Sequence, residues 1–408
     1  MRLVTSDDIG LVKDVDIVEK SVALIQGQSG ADRVTTSLTW VNEEESLLAI
    51  ATSAGIVEIL QLDSEKLTWV SRRQIDVKEH VITMRAVPDN TLLVVTESDF
   101  IQINIGEEIV VSSKISFENG PYNVASFMKP MSQSVSDEYP PVLKAPPTHL
   151  VAASESRPPV IISLLTGKVE WSGKNANDTP LGINSKFHST SIIGISDCIF
   201  AAGDQSGKIR FYDIKTQRKP VLEMPIFDTF SLTNNYTGTS GMGITRPITI
   251  LSLSVDSSLL FIGDTFGTLI SISIQKAIGN KTLVIPGAKI GFKAHNEYCR
   301  KLFPLNRNYK GMMGSVRDVA VTESTLFVVT AGRYAYSFDI ANPKKVEKIF
   351  LKQKLTACLP HTKCLGEIET KPEDECVESD TSSIDEAAND LINNLDDNDY
   401  VSHKKSRR

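Results

Sequence analysis

The feature that most constrains this chain is a repeating unit: an apolar strand, a tight turn, and a second apolar strand. Residues 47–60 show it plainly as Leu-Leu-Ala-Ile-Ala-Thr, Ser-Ala-Gly, then Ile-Val-Glu-Ile-Leu. The same shape returns at 3–15, 92–105, 149–165, 199–214, 259–274 and 326–340. Five of these turns contain a glycine (Gly10, Gly55, Gly207, Gly267 and Gly332), which permits positive φ where a hairpin reverses. The other two carry Ser98-Asp99-Phe100 and Ser156-Arg157-Pro158-Pro159 instead.

Many units add an upstream strand, as at 191–195, 248–253 and 315–321, and some a downstream one, as at 220–224 and 345–351. Four strands per unit, repeated at spacings of about 43 to 66 residues, predict a β-propeller. The inner strands are apolar on both faces, as blades packed between two neighbours require. Two third strands end in an aromatic followed by Asp, Phe211-Tyr212-Asp213 and Phe338-Asp339, similar to the Trp-Asp ending of WD40 repeats.

Six full units run from about Val34 to Lys352, which leaves three N-terminal strands (within 3–25) and one C-terminal strand (354–359) without partners. The expectation is an all-β, seven-bladed WD40-like β-propeller whose last blade joins both ends, because closure removes exposed edges. Three insertions interrupt the pattern as irregular loops: 119–147, 228–246 and the Lys-rich 277–314.

Charge separates the ring from a tail. The whole chain has 43 basic and 50 acidic residues. Residues 366–408 hold 13 acidic and 5 basic of these, leaving 37 acidic and 38 basic residues in 1–365. The body is therefore near neutral, and the overall acidity does not exclude a nucleic-acid partner. We expect a propeller over 1–365 and an acidic, mostly disordered tail over 366–408. Within the tail, 384–395 can form a short helix capped by Ser383, with Ile384, Ala388, Leu391 and Leu395 on one face. Lys404, Lys405, Arg407 and Arg408 form a basic cluster of the nuclear-import type.

No window is long and apolar enough to span a membrane, and the N-terminus lacks a signal-peptide core. Five scattered cysteines include no CxxC pair, so neither a metal site nor a disulfide framework is expected. No phosphate loop, nucleophile elbow or zinc-protease motif is present, and the six histidines are dispersed. We expect no enzymatic activity, no cofactor and no small-molecule substrate. The pair Arg72-Arg73 lacks the flanks of a phosphoinositide-binding propeller. Two basic clusters are the candidate surfaces: Arg210, Lys215, Arg218 and Lys219, and Arg317, Arg333, Lys344, Lys345 and Lys348. Each could meet phosphates or an acidic partner, or be ordinary surface charge.

The block 314–321 (Gly-Ser-Val-Arg-Asp-Val-Ala-Val), with Ala331-Gly-Arg-Tyr334, Phe338-Asp-Ile-Ala-Asn-Pro343 and the stretch 349–355, resembles the last full blade of the WD repeat-containing protein 74 family. Residues 209–223, 261–267, 54–58 and 386–395 agree with that pattern. The chain departs from it at Gly332, where the family has Asp, and at Ile392, where the family's tail has Trp. The resemblance implies a monomeric nucleolar factor of large ribosomal subunit assembly and rRNA processing. It further implies binding to early pre-60S particles, with assembly factors and rRNA as partners, and release by an AAA-type ATPase. Carried over by motif, Arg317, Arg333, Arg218 and Lys219 are the partner-binding positions. The rival expectation is a general cytoplasmic WD40 adaptor of the ubiquitin-ligase or vesicle-coat kind; a propeller enzyme working through its channel ranks third.

Overall fold

The computed structural model describes residues 1–26, 33–63, 68–128, 145–154, 157–174, 188–226, 246–274 and 292–362, together with Gly30, Leu143 and Thr229. For residues 292–295 only the backbone is described. The ring belongs to a unit spanning Met1–Lys363. The tail, with the expected helix at 384–395 and the basic cluster Lys404, Lys405, Arg407 and Arg408, lies outside the described residues.

Seven four-stranded antiparallel sheets form the blades of a β-propeller. Blade 1 holds β4 (Thr35–Trp40), β5 (Leu47–Thr52), β6 (Ile56–Asp63) and β7 (Thr68–Asp76). Blade 2 holds β8 (Val81–Val87), β9 (Thr91–Thr96), β10 (Asp99–Ile105) and β11 (Ile109–Ser116). Blade 3 holds β12 (Val124–Phe127), β13 (His149–Ser154), β14 (Arg157–Ser163) and β15 (Val169–Ser172). Blade 4 holds β16 (Ser189–Gly194), β17 (Ile199–Asp204), β18 (Lys208–Asp213) and β19 (Leu222–Pro225). Blade 5 holds β20 (Ile248–Leu253), β21 (Leu259–Asp264), β22 (Leu269–Ser273) and β23 (Leu305–Tyr309). Blade 6 holds β24 (Val316–Val321), β25 (Thr325–Thr330), β26 (Tyr334–Asp339) and β27 (Val346–Phe350).

Blade 7 is the composite blade expected from the unpaired ends. The C-terminal β28 (Leu355–His361) is its innermost strand, followed by β1 (Arg2–Asp7), β2 (Val12–Asp16) and β3 (Ser21–Gln26). The seam is antiparallel, with Arg2 opposite His361 and Val4 opposite Leu359. The innermost strands touch in sequence, β28 to β4 and onward through β24 to β28, so the ring is closed.

Burial follows radial position. Second strands such as β5, β17 and β25 are buried at every residue, because they lie between two neighbouring blades. Fourth strands such as β7 and β27 are mostly exposed. Apolar clusters fill each space between blades: Trp40 and Leu48 meet Val4 and Leu359 between blades 7 and 1, and Phe261 and Tyr309 meet Val316 and Phe338 between blades 5 and 6.

Two elements correct the reading of the insertions as irregular loops. β12, the innermost strand of blade 3, lies in the 119–147 segment. A helix, α1 (Phe292–Leu302), and then β23 lie in the 277–314 segment. The sequence of β23, Leu-Asn-Arg-Asn-Tyr, conceals it: an outer strand needs few apolar residues, and here only Tyr309 is buried. Helix α1 docks through Cys299 and the adjoining Phe303, whose ring stacks on Phe211 at 4.4 Å.

Strand direction alternates within a blade. The turns between second and third strands, and the links from one blade to the next, therefore share one face, called upper below. The turns between first and second, and between third and fourth strands, share the lower face.

Candidate functional site

On the upper face a recurring anchor builds the turns. The carboxylates of Asp7, Asp204 and Asp264 each accept the amides two and four residues ahead, for example Ser206 at 2.9 Å and Lys208 at 3.0 Å on Asp204. The residue three after each anchor adopts positive φ, and glycine fills it at Gly10, Gly207 and Gly267. Gly55 does the same after Thr52.

Blade 6 breaks this rule, and the reading of Gly332 as the turn glycine is corrected. The left-handed residue there is Arg333, with φ 72°. Gly332 is needed for a different reason: a Cβ at that position would lie 2.2 Å from the Met313 carbonyl oxygen. A non-glycine residue in the left-handed region costs about 1 kcal/mol, and such strain tends to sit at functional positions.

Arg333 belongs to a continuous arc across blades 5 to 7. A Cβ on Gly267 would lie 2.8 Å from the carbonyl oxygens of Met312 and Gly314, so the blade 5 turn abuts the following link. The Ala331 amide donates to the Ser315 carbonyl at 2.9 Å, and the Leu351 amide to the Arg333 carbonyl at 2.9 Å. The Asp8 amide donates to the Lys354 carbonyl at 2.9 Å, which ends the arc at blade 7. Along it, Lys310, Arg333, Lys352 and Lys354 are exposed, and the loops 310–315, 331–333 and 351–354 contain no carboxylate. Asp8 and Asp264 stand at its borders, and Asp264 is paired with Arg246 at 2.7 Å. Exposed apolar side chains interleave with the charges: Phe266 (53%), Met313 (58%) and Phe350 (50%). Arg246 lies 5.1 Å from the centre of the Phe266 ring, and Lys348 lies 5.4 Å from that of Tyr334. The upper loops of blades 1 to 3 instead mix signs, with Lys78 and Arg157 among Glu79, Glu97 and Glu118. Among the described residues, the basic excess is local to blades 5 to 7.

The axis of the ring is a channel of about 460 Å³ lined by the innermost strands. Near the upper mouth, six of these strands carry a β-bulge, and the bulged residues are Thr36, Ile82, Thr190, Thr249, Arg317 and Thr356. All six line the channel. A bulge re-aims one side chain, and blade 6 alone uses it to present a charge. Arg85 and Asp318 are the other charged lining residues. Asp318 is committed to the seam: its carboxylate accepts the Cys358 amide at 2.9 Å and the Val319 amide at 2.8 Å. Burial raises its pKa, with those amides and the Arg85 charge opposing. Burial pushes the Cys358 thiol well above its ordinary value, and Asp318 adds to this. Arg85 and Arg317 are exposed to the channel and form no hydrogen bond among the described residues.

The structure divides the residues that sequence grouped. Arg210 is buried; its guanidinium donates to Asp204 at 2.9 Å and to Glu223 at 2.7 Å, so it is a structural ion pair inside blade 4 and not a surface contact. Glu223 has a lowered pKa: burial acts to raise it, and Arg210 and Lys208 together outweigh that. Arg218, which donates to the Ser172 carbonyl at 2.6 Å, and Lys219 lie on the lower-face connection of blade 4. Lys344 and Lys345 lie on the lower-face turn of blade 6, at the opposite end of β26 from Arg333. Of the residues grouped by sequence, only Arg317 and Arg333 lie at the upper end of the ring; Arg218, Lys219, Lys344 and Lys345 lie at the lower end, on two different blades. Sequence reading missed Arg85, Phe266, Met313, Lys352 and Lys354. The signal available was positional: the link after each fourth strand returns to the face of the glycine turn.

No family model matches the chain, and no curated protein matches it. Among solved structures the chain is similar to the β-propeller domain of Cps50 (Swd1) from Myceliophteria thermophila. Identity is 14%, the alignment covers 81% of this chain and 86% of that one, and the TM-score is 0.49. A likeness of that size carries no functional argument; the architecture rests on the sheet topology above. Among the described residues no three His, Cys, Asp or Glu side chains are grouped to hold a metal ion. The three described cysteines, Cys198, Cys299 and Cys358, are buried.

Proposed function

We propose that this chain is a non-catalytic scaffold of large ribosomal subunit assembly that docks on early nucleolar pre-60S particles through the upper face of blades 5 to 7. The observation that carries this reading is the arc of Lys310, Arg333, Lys352 and Lys354, uninterrupted by carboxylates in its loops. An arc of one sign is suited to phosphate-rich surfaces, where each neutralised phosphate contributes through counterion release. The interleaved Phe266, Met313 and Phe350 add apolar contact that a purely electrostatic surface lacks. Resemblance of the blade 6 sequence to the WD repeat-containing protein 74 family supports the choice of particle. The basic terminus suits a nuclear address, and the acidic tail suits a handle for an AAA-type ATPase that releases the scaffold. Affinity purification of the tagged full chain at moderate salt tests the reading. Large-subunit rRNA precursors and their assembly factors are expected in the eluate. They should fall several-fold when Lys310, Arg333 and Lys352 are together replaced by Glu. Their absence from the wild-type eluate would refute it.

A further inference from the structure

The channel holds a binding chemistry separate from the arc. Its two guanidiniums, Arg317 and Arg85, have no hydrogen-bond partner among the described residues, whereas its one carboxylate, Asp318, is occupied by two backbone amides. The lining therefore presents a net positive charge to whatever enters.

The two guanidiniums are placed with a definite offset. Both β24 and β8 carry their bulge directly after the first residue, so Arg317 is level with Ile82. Arg85 is three residues further along β8, about 10 Å deeper at the rise of a strand. Blade 6 and blade 2 are separated by blades 7 and 1 on one side and by blades 3, 4 and 5 on the other. The two cations thus face each other across the axis at different depths.

An extended polypeptide has the matching geometry. Its side chains alternate sides, so residues three apart point in opposite directions and are about 10 Å apart. The walls suit a peptide and not a base. Among the lining residues the one aromatic is Phe127, whereas single-stranded RNA is recognised by stacking on aromatic platforms. Small hydroxyl residues such as Ser37, Thr83 and Ser252 make the bore partly polar.

We propose that the channel admits an extended segment of a partner protein presenting two anionic side chains three residues apart, one held by Arg317 at the mouth and one by Arg85 below it. The anion is a carboxylate or a phosphorylated hydroxyl; both share the acceptor geometry that a guanidinium binds. This site does not depend on the partner being a ribosomal precursor.

The test uses the purified full chain and fluorescein-labelled Gly/Ser peptides read by anisotropy. One peptide carries two glutamates three residues apart, one two phosphoserines at that spacing, one two glutamates only two residues apart, and one two glutamines. At least one of the three-apart anionic peptides should bind about tenfold more tightly than the glutamine control, and the better of the two identifies the anion. Moving the glutamates to a spacing of two should weaken binding, since both then face one wall. Arg317→Gln and Arg85→Gln should each reduce affinity about tenfold, with unchanged melting showing that the ring is intact. Equal binding of the acidic and glutamine peptides would overturn the proposal. So would wild-type affinity in both folded variants, or binding of an oligouridylate with no binding of either three-apart anionic peptide.

Discussion

Acidification should loosen the seam that closes the ring, and His361 sets how much. His361 ends the innermost strand of blade 7, and its side chain is 1% exposed. The ring centre lies 5.1 Å from that of Trp40, whose indole donates to the Pro360 carbonyl at 2.8 Å. Carboxylates of Glu45 and Asp14 lie 3.5 and 4.0 Å from the imidazole and would favour its protonation. Both are already engaged: Asp14 by Arg2 at 2.6 Å, Glu45 by the Thr362 amide at 2.9 Å. Burial prevails, with the Arg2 charge helping, and pushes the His361 pKa from 6.5 down to about 4. The unfolded chain therefore takes up a proton below about pH 6.5 that the ring refuses until about pH 4. The stabilisation is complete above that upper value and declines as pH falls toward the lower one. At pH 5 the difference is about 2 kcal/mol. Replacing His361 with Gln removes the titration and keeps a neutral polar side chain. Asp14, whose pKa burial raises, acts with the opposite sign and is common to both proteins. Urea unfolding followed by tryptophan fluorescence, at pH 7.5 and pH 5, measures the effect. The wild type should lose about 2 kcal/mol more than His361→Gln over that interval; parallel losses would refute the reasoning.

The turn of blade 6 gives a paired expectation. Gly332→Ala should cost about 2 kcal/mol, because its Cβ would meet the Met313 carbonyl oxygen. Arg333→Gly should stay within about 1 kcal/mol of wild type, since relief of the left-handed strain offsets glycine's entropy, while co-purification of the particle falls. Thermal melts of both variants check the order, and equal destabilisation would show that Arg333 is not the strained residue. Arg210→Ala should cost about 3 kcal/mol by stripping a buried ion pair with Asp204, and leave particle association unchanged. Loss of association in a ring of undiminished stability would restore Arg210 to the surface.

The repeat was legible because blade packing writes itself into every unit. A second strand pressed between two blades must be apolar on both faces, and β5, β17 and β25 read so directly. The composite blade followed from counting unpaired strands. What escaped were elements with little to bury. β23 has one buried residue in five, and β12 is only four residues long. The site residues fared less evenly. Arg333 and Arg317 were picked out by motif, but Arg210 looked the same in sequence because nothing local shows that Asp204 and Glu223 close around it.

The sequence alone determined that the chain is a ring. Its strand periodicity, turn glycines and unpaired ends admit few other ways to bury so much two-sided apolar surface. The tertiary structure decided which charges act together. Lys344 is eleven residues from Arg333 in sequence yet on the opposite face, because one strand runs between them. Arg85 and Arg317 are far apart in sequence and share one channel, because ring closure sets blade 2 across from blade 6. Periodicity is a local property that each blade's packing imposes on its own residues. Coincidence across the axis arises only when the first and last strands pair and fix the circle.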